Sequence, residues 1–148
     1  MIEIKNISKK FGKLEVLKNV SVSCSSGQCI ALIGPNGCGK TTLIKSILGM
    51  VIPDSGSMEF NQKSIFGDYL YREKIGYMPQ IGRYPDTMTI GEIIEMVKKI
   101  RNSKDNLDED LFRDFEIEKM LNKQMRTLSG GTTQKISAVL AFMFNPDV

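Results

Sequence analysis

The chain has 148 residues, 41% hydrophobic and 25% charged, with a net charge of +3; that suits one globular domain with a real core, and without a long basic run it suggests no nucleic-acid partner. No apolar stretch reaches the roughly 18 residues a membrane span needs, and Met1-Ile2-Glu3-Ile4-Lys5 has no signal-peptide core, so the expectation is a cytosolic protein. Cys24, Cys29 and Cys38 lack metal-site spacing and read as reduced thiols, and histidine is absent.

Residues 2–7 open with alternation at Ile2 and Ile4 and read as a strand. Residues 9–13 (Lys-Lys-Phe-Gly-Lys) form a turn, and 14–24 read as strand material with a turn near Lys18 and Asn19. Ser25-Ser26-Gly27 is a further turn. These short strands predict an antiparallel layer. Phe11 is either a hydrophobic plug in the hairpin or a flat face on which a nucleotide base could stack.

Ile30-Ala31-Leu32-Ile33 is a short unbroken apolar run, as in a strand covered on both faces. Gly34-Pro35-Asn36-Gly37-Cys38-Gly39-Lys40-Thr41-Thr42 follows and fits G-x-x-x-x-G-K-[ST]. After it, residues 42–50 carry apolar side chains at helical spacing. Strand, glycine loop and helix are what phosphate binding requires. The glycines let the backbone approach a ligand closely. The loop amides and the positive end of the helix face the anion. Lys40 supplies a cation for the outer phosphates, and Thr41 a hydroxyl for Mg²⁺.

Residues 52–56 read as a turn and 57–60 as a short strand. Residues 69–72 suggest one helical turn, and 74–78 (Lys-Ile-Gly-Tyr-Met) a strand closed by Pro79 and Gln80. Thr89-Ile90-Gly91-Glu92 is a capping box. It opens a helix with apolar residues at 90, 93, 94, 97 and 100. Asp105, Asp108, Glu109, Asp110, Asp114, Glu116 and Glu118 read as a solvated face on short helices. Leu128-Ser129-Gly130-Gly131 then precedes an apolar helix at 136–144, stopped by Asn145-Pro146. Ser129 can cap that helix, and the glycines leave room for an anion at its positive end.

Taken in order, the loop at 34–42, the segment Ile75-Gly76-Tyr77-Met78-Pro79-Gln80 and the run Leu128-Ser129-Gly130-Gly131-Thr132-Thr133-Gln134-Lys135 resemble the Walker A loop, Q-loop and signature of the ATP-binding-cassette (ABC) ATPases, the nucleotide-binding subunits of ABC transporters. The resemblance covers the whole chain. It implies an α/β P-loop NTPase with an antiparallel β subdomain, a parallel core sheet that is incomplete here, and a small helical subdomain carrying the signature. The expected division is an ATP-binding core at 1–80, a helical subdomain at 81–135 and a return helix at 136–148.

The implied site follows residue by residue. Phe11 stacks on adenine, where the family more often has Tyr. Gly34, Asn36, Gly37, Cys38, Gly39, Lys40, Thr41 and Thr42 hold the phosphates of ATP. Thr41 and Gln80 face Mg²⁺, and Gln80 and Lys40 take the catalytic roles. Ser129, Gly130 and Gly131 contact ATP held by a second subunit in a head-to-tail homodimer. A separate membrane permease is the implied partner, which places the protein at the inner face of the membrane. Cys38 stands where the family usually has Ser; it is either a thiol that alkylating agents reach readily unless nucleotide covers it, or an inert loop thiol.

The resemblance stops short at the end. Pro146-Asp147-Val148 should lead into the Walker B strand, a catalytic Glu and a switch His. Asp147 lies before that strand and is not its Asp. These residues alone are therefore expected to hydrolyse ATP weakly at best. Strands that follow would lie between the Walker A and Q-loop strands, so both are expected to show open edges, and the helix at 136–144 an apolar face. The competing readings are a nucleotide-binding fragment or regulator without turnover, and an ABC ATPase of repair or translation. The latter usually carries long insertions or paired cassettes, which are not seen here.

Overall fold

The computed structural model describes residues 2–102 and 106–148, so Asp105 of the acid-rich stretch lies outside the described residues. The chain divides into two compact units, residues 1–71 and 72–148. The structural division thus falls earlier than residue 80, where the motifs change.

The first unit is built on a four-stranded antiparallel sheet. Its strands are β1 (Ile2–Phe11), β2 (Leu14–Cys24), β3 (Ser55–Phe60) and β4 (Lys63–Ser64), in the order β2-β1-β3-β4. Ile2 and Ile4 of β1 are buried by alternation, and Ile7 joins them out of step, with Leu17, Met58 and Phe60. Gly12, with φ +59°, turns β1 into β2 through the pair Phe11–Leu14. The turn expected at Lys18 and Asn19 is instead absorbed within β2. Asn6 and Asn19 take positive φ, and the β1–β2 register slips between Ile4 and Lys10. The two displaced amides find hydroxyls on the facing strand. Asn6 N–H donates to Ser21 Oγ and Asn19 N–H to Ser8 Oγ, both at 2.9 Å. These are β-bulges, which bend and twist a strand without ending it.

The β3–β4 hairpin closes through Asn61 and Gln62, both at positive φ, between the paired Phe60 and Lys63. Two left-handed residues are what a tight primed turn needs. β3 starts at Ser55, earlier than the sequence suggested, because the preceding loop is tied down. Asp54 N–H donates to Ser8 O at 2.9 Å, and its carboxylate accepts from Lys9 Nζ and the Lys10 amide, each at 2.7 Å. Helix α1 (Lys40–Ile47) buries Leu43 and Ser46 in this unit. Tyr71 packs its ring 6.0 Å from that of Phe60 and donates its hydroxyl to Ile47 O.

Ile30, Leu32 and Ile33 lie in no strand and are exposed, Ile33 by 89%. The expectation of a run covered on both faces is therefore not met. Among the described residues none forms a ladder with it, and an apolar run becomes a buried strand only when neighbours supply both hydrogen bonds and cover.

The second unit is mainly helical: α2 (Ile90–Ile100), α3 (Asp110–Asp114) and α4 (Gly130–Phe142), with 3₁₀ turns at Ile117–Met120 and Met125–Thr127. Ile90, Ile93, Ile94, Ile117, Met125, Ile136, Val139 and Met143 form its core. Burying one such side chain contributes about 1.5–3 kcal/mol. The apolar face of α4 is therefore largely used inside this unit; Phe142 is 55% exposed. The capping box forms as expected. Glu92 N–H donates to Thr89 Oγ1, and Thr89 N–H to the Glu92 carboxylate. The Thr89 amide, then the Thr89 hydroxyl, which also donates to the carboxylate at 3.1 Å, hold the Glu92 carboxyl below its usual range.

Residues 75–78, expected as a strand, are assigned to none. The segment is nevertheless held on both sides. Gly76 sits so close to α4 that a Cβ would come within 2.3 Å of Ala141 O. The Arg101 guanidinium donates to Glu73 O and Ile75 O and lies 5.0 Å from the Phe144 ring. Val148 N–H donates to Lys74 O while Gly76 N–H donates to Val148 O. Asp147 N–H also donates to Lys74 O, so the segment is tied to residues 147 and 148 without forming a strand.

Asp54 gives a pH test. The Lys9 ammonium, then the Lys10 amide, hold its carboxyl below the ordinary value. A depressed folded value contributes stability above the unfolded value near about 4, which is lost as pH falls through the folded one. Asp54→Asn keeps an acceptor but removes the charge. Its melting temperature should lie below wild type at pH 7, and thermal melts should show the gap closing below about pH 4.

Candidate functional site

The loop at 34–42 hangs between two backbone demands. Gly39 is buried with φ +95°, and a Cβ there would stand 2.7 Å from Val16 O and 3.0 Å from the Leu17 side chain. Only glycine meets both conditions without strain. Leu43 N–H donates to Gly39 O at 2.9 Å, so Gly39 caps α1. A glycine cap offers no side chain to the first-turn amides, and that leaves the helix end suited to an external anion. Gly37, at φ +83°, turns the loop's outer edge. Residues 34–38 are all exposed.

Lys40 is folded back over this loop. Its ammonium donates to Gly34 O and Pro35 O, both at 2.7 Å, and lies 3.6 Å from Cys38 Sγ. The cation thus sits in the mouth of its own loop. Thr41 is exposed, and Thr42 is half-buried with its carbonyl accepting from Ser46 Oγ. Phe11, at the end of β1, is 50% exposed, with the Lys9 ammonium 5.5 Å from its ring centroid. A ring this open is not a buried plug, and it leaves surface for a flat ligand.

The remaining sequence-derived residues lie in the second unit. Gln80 is exposed. Ser129 caps α4: its Oγ accepts from Thr132 N–H at 3.3 Å and lies 3.0 Å from Thr132 Oγ1. Gly130 and Gly131 are exposed, and a Cβ on either would meet nothing within 4 Å. Contacts within this chain therefore do not account for the two glycines; the room they leave faces outward. Phe11 and residues 34–42 share the first unit, while Gln80, Ser129, Gly130 and Gly131 share the second. Sequence reasoning passed over Arg101 and Tyr84, whose carbonyl and hydroxyl partners stand 26 to 53 residues away; no local motif marks such contacts.

Among the described residues no group of three or more His, Cys, Asp or Glu could hold a metal ion by itself. No helix of the described residues is long and apolar enough to cross a membrane. All three cysteines are free thiols, with Cys29 and Cys38 exposed.

The family model for the ABC transporter matches residues 17–148. A sulfate/thiosulfate import ATP-binding protein of Pectobacterium atrosepticum is 32% identical over 155 residues, covering 99% of this chain and 47% of that protein. A zinc import ATP-binding protein of Rickettsia conorii is 34% identical over 150 residues, covering all of this chain and 60% of that protein. Among solved structures, an ATP-binding subunit of an ABC transporter superposes with a TM-score of 0.87 at 29% identity, over 98% of this chain and 62% of that one. The ADP conformation of another such cassette, MJ1267, gives 0.79 at 26% identity, over 98% and 65%. The chain thus spans about half to three-fifths of the curated relatives it matches.

Two measurements probe the loop. Gly39→Ala should cost about 2 kcal/mol or more, from left-handed strain plus the clash with Val16 O, read by urea unfolding. Cys38 should be alkylated by a thiol reagent at a rate that MgATP slows; equal rates with and without MgATP would remove nucleotide from the loop.

Proposed function

The chain belongs to the ABC transporter family, and from that premise we propose that it is the nucleotide-binding part of a transport ATPase. It binds MgATP at residues 34–42. In the complete protein, two copies pair head to tail, hydrolyse ATP and drive transport through a separate membrane subunit. That subunit holds the protein at the cytoplasmic face of the membrane. The observation that carries the reading is Lys40, set with its ammonium at the mouth of a glycine-walled loop beside a helix end with no side-chain cap.

Each residue then has a task. Gly34, Asn36, Gly37, Cys38, Gly39 and Thr42 present backbone to the phosphates. Lys40 exchanges its two carbonyls for phosphate oxygens, a charge-assisted bond in place of charge–dipole bonds. The Thr41 hydroxyl faces Mg²⁺, which supplies charge neutralisation on the phosphates when bound. Phe11 stacks on the base. Gln80 orients water at the metal. Ser129, with Gly130 and Gly131, closes on the nucleotide of the second copy, through the open space beside those glycines.

The alternative reading is a nucleotide-binding module without turnover. Steady-state hydrolysis by these 148 residues and by the full-length protein separates the two. Activity confined to the full-length protein supports the transport ATPase; none in either supports the module.

Two substitutions test the roles. Lys40→Ala should weaken MgATP binding about tenfold to hundredfold by titration calorimetry, with the circular dichroism spectrum unchanged. Ser129→Arg in the full-length protein should keep nucleotide affinity and lose ATP-driven dimerisation in light scattering.

A further inference from the structure

The loop after Gln80 is fastened to α4 by a hydroxyl–hydroxyl bond at a buried serine. Ser137, 2% exposed, donates its Oγ proton to Thr133 O at 3.0 Å. Its oxygen lies 2.9 Å from the Tyr84 hydroxyl. With the serine proton committed to Thr133, the tyrosine is the donor. Thr133 Oγ1 in turn donates to Ser129 O at 3.2 Å, the carbonyl of the cap residue. The Tyr84 bond thus joins the loop to α4, and the Ser137 and Thr133 hydroxyls each bond the carbonyl four residues back, along the helix to its cap. Gly82 lets the loop lie this close. A Cβ there would come within 2.4 Å of Ser137 Oγ and 2.9 Å of the Tyr84 ring.

We propose that Tyr84 is a positioning residue for ATP hydrolysis: through Ser137 and Thr133 it makes the loop following Gln80 and the Ser129 cap of α4 move as one body. This rests on the reading that Gln80 and Ser129 serve the nucleotide. Tyr84 touches no ligand in that reading. Its hydroxyl joins the loop to α4 by a bond between residues 53 positions apart. A polar latch at a buried oxygen has one good geometry, whereas an apolar contact tolerates sliding. Closing Ser129 on a nucleotide therefore carries residues 82–84 with it.

The experiment uses the full-length protein. Tyr84→Phe removes one hydroxyl and keeps the ring. It should lower kcat about three- to tenfold, the scale of one hydrogen bond, with the Kd for MgATP unchanged. Ser137→Ala should do the same, and the double variant should be no slower than either single. In these 148 residues, Tyr84→Phe should raise deuterium uptake at 81–86 and leave 90–100 as in wild type. Gly82→Ala, which wedges the latch open, should match Tyr84→Phe in kcat. Wild-type kcat in Tyr84→Phe, or losses that multiply in the double variant, would overturn the latch. So would a parallel loss of kcat, MgATP affinity and melting temperature, because that marks a structural residue only. Failure of the wild-type protein to bind MgATP would instead overturn the reading of the nucleotide site, and the latch's role with it.

Discussion

The approach of Gly39 to the Val16 carbonyl decides how the first unit is arranged. At 2.7 Å from where a Cβ would lie, that oxygen forbids a side chain, and a φ of +95° forbids most residues independently. The loop is thereby pressed against β2, and α1 begins where Lys40 can bend back across residues 34 and 35. Were the contact looser, the glycines at 34 and 37 would give mobility without direction. One crowded backbone contact converts a flexible stretch into a shaped one.

The second unit is organised by polar groups laid around an apolar cluster. Its isoleucines supply most of the burial, but they do not say which loop lies where. Arg101 does so for residues 73–75, and Tyr84 for residues 82–84. Gly76 adds a third fixing by letting its segment lie against Ala141. Each of these contacts is made to a backbone carbonyl or a single hydroxyl, so each specifies a position rather than a general attraction.

Local signals in the sequence were legible where a few neighbouring residues contain the whole argument. The Thr89–Glu92 box and the Ser129 cap depend on side chains within three positions, and both form. The phosphate loop was legible for the same reason, though the collision that requires Gly39 comes from Val16 and could not be seen. The asparagine at 19 misled. It was read in a turn, but Ser8 on the facing strand takes its amide and makes the position a bulge, as Ser21 does for Asn6, which no local signal marked. Ile30, Leu32 and Ile33 show the limit of composition. A strand is defined by a partner elsewhere in the chain, and hydropathy alone does not name it. The hairpin at Asn61 and Gln62 carried no glycine to announce it.

The posture of Lys40 has a consequence for discrimination. Its ammonium already has two oxygen neighbours, so an incoming molecule gains only the difference between them and what it offers instead. Neutral groups offer about the same as a carbonyl and leave the side chain where it is. Several negative charges close together offer much more. On the proposed reading of the loop, the resting lysine sets a threshold on charge, and nucleosides or singly charged metabolites fall beneath it.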